Sequence, residues 1–221
     1  MIDLHTHCLF SDGELVPSEL VRRAKMTGYR AIAITDHGDA SNIDFIIPRI
    51  VRVSRDLSKV CDIIVLAGIE LTHVPPPQIA GLADEARALG AGIIVVHGET
   101  IVEPVTPGTN KAALDADIDI LAHPGLISEE DALTASQKGI FLEITTRKGH
   151  SLTNGHVLKM ARLCGTSLVI DTDSHGPQDL VSKEMATRIA KGAGMTDTEV
   201  EILFLNSERL VRKLCAKSSS G

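Results

Sequence analysis

Gly92-Ile93-Ile94-Val95-Val96-His97-Gly98 is the stretch that decides the architecture. Four branched aliphatic residues in succession leave no polar face, so the segment reads as a strand covered on both sides, as in a parallel sheet flanked by helices. It stops on a histidine. The same design recurs along the chain, with strands expected at Ile2–His5, Ala31–Thr35, Ile63–Gly68, Gly92–Val96, Ile118–Ala122, Ile140–Ile144 and Ser167–Thr172. Helical patterns lie between most of them. Ser18–Thr27 stops before Gly28, Asn42–Leu57 carries Ile43, Ile46, Ile47 and Ile50 on one face, and Ile79–Leu89 ends at Gly90. Ser128–Gln137, Thr153–Leu163 and Leu180–Lys191 follow, and Thr196-Asp197-Thr198-Glu199 reads as a capping box opening a final helix.

Strand and helix alternating in this way predict parallel βα units. Seven units in 221 residues suit a closed α/β barrel, smaller than the eight-unit form of about 250 residues, with a doubly wound open sheet as the competing arrangement. No linker or repeat divides the chain. One domain is expected over residues 1–217, with 218–221 as a frayed tail.

Composition narrows the partners. Apolar residues make up 43% of the chain, enough for a core, yet aromatic residues only 2% and Trp is absent, so Ile, Leu, Val and Ala must fill it. The stacking platforms of a single-strand nucleic-acid binder are missing. Net charge is −7 without a Lys/Arg block, so no stable nucleic-acid partner is expected. Cys8, Cys61, Cys164 and Cys215 are scattered without CxxC spacing, which reads as reduced intracellular thiols. Met1 runs straight into the first strand pattern and no apolar run reaches membrane-spanning length, so a cytoplasmic protein with neither leader nor membrane segment is expected.

The chemistry lies in where the strands end. Asp3, His5 and His7 alternate along the first strand and its exit, and so point one way. His37 follows the second strand, Glu70 the third, His97 the fourth and His123 the fifth, while Asp171, Asp173 and His175 alternate at the end of the seventh. A single histidine after a strand is ordinarily a hydrogen-bonding loop residue. Matched positions on six of seven strands are not ordinary, because in a parallel barrel those ends form one face. Imidazole and carboxylate suit Zn, Mn or Fe better than Mg or Ca. His5, His7, Asp12, His37, Glu70, His97, His123, Asp173 and His175 outnumber the three or four protein ligands of one catalytic zinc, and could fill three adjacent divalent ions.

His5-Thr6-His7, Ser11-Asp12-Gly13, Thr35-Asp36-His37, Gly68-Ile69-Glu70, Val96-His97-Gly98, Ala122-His123-Pro124 and Asp173-Ser174-His175 together resemble the PHP (polymerase and histidinol phosphatase) superfamily, over Ile2 to about Leu214. The resemblance implies a distorted seven-stranded (β/α)7 TIM-like barrel and three divalent ions. It implies that His5, His7, Glu70 and Asp173 hold the first, Glu70, His97 and His123 the second, and Asp12, His37 and His175 the third. Asp3, Asp36 and Asp171 are expected to orient ligand imidazoles.

Three such ions with three carboxylates leave a positive surplus that favours a phosphate dianion. The expected reaction is hydrolysis of a small phosphorylated metabolite, releasing phosphate, through hydroxide generated at the metals. Arg147, on the rim after the sixth strand, is the candidate phosphate clamp; Lys148 beside it and Lys111 are further rim cations. His150 and His73 match no ligand motif and are expected at solvent, either being placed to protonate a leaving alcohol; Glu99 and Glu103 read as loop carboxylates. The alternatives are a phosphodiesterase or nuclease acting on nucleotides or short oligonucleotides, a non-catalytic barrel serving as scaffold in an assembly such as a polymerase or RNase P, and a metal-dependent amidohydrolase barrel.

Overall fold

The computed structural model describes residues 1–218. Its parallel strands are β1 (Ile2–Asp3), β2 (Ala31–Ile34), β3 (His37–Gly38), β4 (Ile64–Leu71), β5 (Ile93–His97), β6 (Ile120–Ala122), β7 (Phe141–Thr145) and β8 (Leu168–Asp171). The sheet order is β1-β2-β4-β5-β6-β7-β8, with β3 also paired to β4. Ala31 pairs with Ile64 and His37 with Glu70, the same offset, so β3 continues β2 and the two form one stave. Seven staves result.

Beyond the short β1 and β8 the ends of the sheet meet. The His7 amide donates to the Ser174 carbonyl at 2.8 Å, and the Asp173 amide to the His5 carbonyl at 2.9 Å. The sheet is thus a nearly closed α/β barrel, as the alternation predicted.

The helices are α1 (Pro17–Met26), α2 (Ile43–Val60), α3 (Ile79–Ala88), α4 (Thr109–Asp115), α5 (Glu129–Lys138), α6 (Asn154–Cys164), α7 (Lys183–Gly192) and α8 (Asp197–Ser218). The capping box is real: Thr196 Oγ1 accepts from the Glu199 amide, and the Glu199 carboxylate accepts from the Thr196 amide at 2.7 Å. The sequence pattern misses α4, whose seven residues are too short to display a helical period. Ser218 closes α8, and the rest of the expected frayed tail lies outside the described residues.

Period-2 alternation sorts the strand residues into two cores. Ile32, Ile34, Ile94, Val96, Leu121, Leu142, Ile144 and Ile170 belong to the core shared with the helices. Ala31, Ala33, Leu66, Ile93, Val95, Ile120, Ala122 and Val169 form the barrel lumen with Ile2 and Leu4. Leu210, Val211 and Leu214 of α8 join that luminal cluster. The last helix therefore stoppers the amino-terminal end of the barrel, leaving the carboxyl end for loops. Among the described residues no helix is long and apolar enough to cross a membrane.

Candidate metal centre

The luminal face turns polar toward the carboxyl end. Counting in twos from luminal Leu66 reaches Glu70, from Ile93 and Val95 reaches His97, and from Val169 reaches Asp171 and Asp173. The same count from Phe141 reaches Glu143. All nine expected ligands converge there. His5, His7 and Glu70 are fully buried, and His97, His123 and Asp173 nearly so.

Among the described residues five groups of such donors lie close enough to share an ion, and three of them take in every expected ligand but Glu70. In the first, His5 Nε2 lies 3.3 Å from Glu70 Oε1 and His7 Nε2 lies 3.1 Å from Asp173 Oδ1, with His5 and Asp173 3.8 Å apart. In another, His37 Nε2 and His175 Nε2 are 3.3 Å apart, and Asp12 Oδ1 is 3.4 and 3.2 Å from them. Donors bonded at about 2.0–2.1 Å to one tetrahedral ion stand about 3.3 Å apart, so this triangle has the edges of a coordination face. The remaining grouping joins His97, His123 and His150, with His123 Nε2 3.7 Å from Glu70 Oε1.

The donors fit a cation on independent grounds. His7 Nδ1 and His123 Nδ1 are buried without a hydrogen-bond partner, while His5 Nε2 with Glu70 Oε1 and His7 Nε2 with Asp173 Oδ1 face each other at 3.3 and 3.1 Å without hydrogen-bond geometry. Buried polar atoms left unpartnered cost about 1–3 kcal/mol each, and a crowd of them on one face indicates a ligand the polypeptide does not supply. Burial pushes the His7 imidazole down to about 3 and holds His123 well below its ordinary value. Burial would raise Glu70 and Asp173, yet the surrounding imidazoles, His5 foremost, hold both well below the carboxylate range. Neutral His7 and His123 facing ionised carboxylates are in their metal-binding states, while at His5, His37 and His97 the neighbouring carboxylates outweigh burial and raise the imidazoles, so that protons stand where a cation would.

Other groups aim the rings. Glu143 Oε2 is 2.6 Å from His5 Nδ1, the Gly98 carbonyl accepts from His97 Nδ1 at 3.1 Å, and the Asp173 carbonyl from His175 Nδ1 at 2.9 Å. Each contact turns Nε2 toward the cluster. Asp3, Asp36 and Asp171 do not orient imidazoles as expected. Asp3 accepts from the Thr172 amide and hydroxyl, Asp171 from the Leu4 amide, and Asp36 from the Cys8 and Ser11 amides and the Ser11 hydroxyl. They stitch strand exits and the turn leading to Asp12. Gly13 seals that turn, for a Cβ there would lie 2.6 Å from the His7 carbonyl carbon.

Two loop residues depart from expectation. His150 is not at solvent but 6% exposed, its ring stacked on His123 with centroids 4.3 Å apart. Gly149, with φ of +94°, turns the chain inward into a short 3-10 segment, a reversal that strand counting cannot foresee. Glu103 also reaches the site, 3.0 Å from His97 Nε2 and 3.3 Å from His150 Nε2. Sequence reasoning missed Glu143 as well, although a carboxylate amid Phe141-Leu142-Glu143-Ile144 was a usable signal, since such a group is buried only with a partner. Arg147 is half-buried at the rim, whereas Lys111 and Lys148 are exposed. A cleft of about 290 Å³ opens over the cluster, lined by Asp12, His37, His97, Arg147, His150 and His175 among others.

Residues 3–150 match the PHP domain family. The chain belongs to that family. This PHP protein is 50% identical to an uncharacterized protein of Methanocaldococcus jannaschii over 206 residues, covering 92% of this chain and 94% of the other. It is 26% identical to ribonuclease P protein component 3 of Methanosarcina barkeri, over 91% of this chain and 85% of that one. A probable phosphatase of Thermoanaerobacter sp. is 25% identical, over 94% and 91%. Among solved structures, an archaeal ribonuclease P with mature tRNA contains a chain that superposes with a TM-score of 0.75 at 16% identity, covering 97% of this chain and 91% of that one. A putative histidinol phosphatase of Listeria monocytogenes superposes with a TM-score of 0.61 at 14% identity, covering 81% and 97%. These two likenesses concern the fold. Family membership favours the PHP reading of the histidine pattern over the amidohydrolase one, and it implies divalent metals without fixing their number or kind.

Proposed function

We propose that this PHP protein is a metal-dependent phosphoesterase that removes phosphate from a monoester of a small metabolite. The observation that carries the reading is the convergence of nine imidazole and carboxylate side chains, several with unpartnered buried donor atoms, beneath a cleft of about 290 Å³. His5, His7, Glu70 and Asp173 would hold one ion, Glu70, His97 and His123 a second, and Asp12, His37 and His175 a third, with Zn, Mn or Fe matching the donor set. When bound, such ions supply Lewis acidity toward phosphoryl oxygens and acidify water.

The chain's own side chains complete the site. Arg147 anchors one guanidinium nitrogen on the Asp173 carbonyl and Asp179 Oδ2, both at 3.2 Å, while its Nε lies 3.7 Å from Asp173 Oδ2. This leaves N–H groups at the cleft for a phosphate oxygen. Thr100 Oγ1 sits 2.8 Å from His150 Nδ1, which turns Nε2 toward the cleft, where it can pass a proton to the departing alkoxide oxygen. The cleft is at the small end of ligand pockets, and the chain's −7 charge offers no track for a polyanion, so a small monoester is favoured over an oligonucleotide.

Similarity to a ribonuclease P protein component supports a second reading, a barrel serving as an assembly subunit. Retention of all nine donors favours the enzyme. Hydrolysis of p-nitrophenyl phosphate and of its bis-ester, with Mn or Zn present, separates the cases, followed by phosphorylated metabolites including histidinol phosphate. Monoester turnover is expected; preference for the diester overturns the substrate class, and no turnover of either favours the subunit.

A further inference from the structure

Glu103 is surrounded by three imidazoles from three separate stretches of the barrel rim, His97 at the end of β5, His73 beyond β4 and His150 beyond β7. Its Oε2 lies 3.0 Å from His97 Nε2 and 3.4 Å from His73 Nε2, and its Oε1 lies 3.3 Å from His150 Nε2. The ligand atoms of His73, His97 and Glu103 all fall within 4.8 Å of one another. Separations of 3.0 and 3.4 Å bracket the donor spacing of about 3.3 Å around one tetrahedral ion. Neither His73 nor Glu103 belongs to the ligand set that the motifs imply.

The arrangement is built rather than incidental. Glu103 rides on the 98–108 loop, whose two ends are drawn together by Glu99, its Oε1 accepting from the Gly108 and Asn110 amides at 2.9 Å. Gly125 locks the neck, for a Cβ there would lie 1.8 Å from the Glu99 carbonyl oxygen. His73 holds a left-handed backbone, φ +52°, which a histidine adopts at a cost.

His97 belongs to both the rim and the deep cluster, and it has one nitrogen to give, since Nδ1 is committed to the Gly98 carbonyl. The two positions therefore cannot both claim it. His73 and Glu103 face solvent along the cleft, while His97 is 4% accessible and its ring lies 4.5 Å from that of His123. We propose that His73 and Glu103, with His97, form a loading site that captures a divalent cation from solvent and passes it, through the shared His97 nitrogen, to the buried position beside His123. The proposal rests on the metal-centre reading above.

Uptake kinetics test it. Metal-free full-length protein is mixed with Co²⁺, and cobalt incorporation is followed by its visible absorbance, with the final content measured separately. His73→Gln and Glu103→Gln are each expected to slow incorporation at least tenfold while reaching the wild-type cobalt content, which also shows that the variants fold. Uptake within twofold of wild type in both overturns the loading role. A lowered final content in both overturns it too, by making these residues permanent ligands. Wild-type protein that takes up no cobalt overturns the metal centre itself, a result distinct from the other two.

Discussion

His37 Nε2 and His175 Nε2 stand 3.3 Å apart, although 138 positions separate them in the chain, and Asp12 Oδ1 completes their triangle at 3.4 and 3.2 Å. Two ring nitrogens this close share either a proton or a cation, and with Asp12 beside them the spacing is that of a coordination face. Because Asp12 brings the only negative charge of the triangle, Asp12→Asn is expected to remove one ion per chain while sparing the deeper ones. Metal analysis of wild type and variant, prepared side by side, reads the difference. Equal content contradicts the assignment.

Glu143 acts through His5. The carboxylate lies 2.6 Å from His5 Nδ1, and both side chains are fully buried. Glu143→Gln keeps the volume but weakens the acceptor that fixes the ring, and losses of about 10–100-fold in metal affinity are usual for such partners. Competition with a chromophoric chelator measures the shift, with a tenfold loss or more expected.

In the proposed function Arg147 holds the phosphate. Arg147→Ala is expected to lower kcat/KM tenfold or more, with Arg147→Lys recovering only part, because a point charge cannot reproduce the planar fork. Steady-state kinetics on the best monoester decide, and an unchanged kcat/KM removes Arg147 from the site.

Stability has a separate test far from the cleft. Thr196→Ala deletes the acceptor for the Glu199 amide at the start of α8, the helix whose Leu210, Val211 and Leu214 stopper the barrel. A lost cap costs about 1 kcal/mol, or about 2–4 °C in Tm for a chain of this size. Thermal unfolding followed by circular dichroism checks it, with metal content unchanged.

What the sequence showed followed local rules. The apolar run before His97 announced a buried strand, and spacing of two placed Asp173 and His175 together. The Thr196–Glu199 box is formed as read. What it hid depended on loop paths and on partners distant in the chain. His150 turns inward because of one left-handed glycine, and Glu103 reaches the cleft only because Glu99 closes its loop. Asp36, expected to orient an imidazole, adjoins His37 in the chain, but adjacent residues on an extended segment point opposite ways, and its carboxylate goes to the Cys8–Ser11 turn.

The central claim, that distant donors meet at the barrel mouth to cage divalent cations, is tested most directly by elemental analysis of wild-type protein purified without chelator after growth with ample Zn, Mn and Fe. About three ions per chain are expected, removed by chelation together with phosphatase activity. Protein that emerges essentially metal-free from such growth, and stays so after incubation with these ions, contradicts the account.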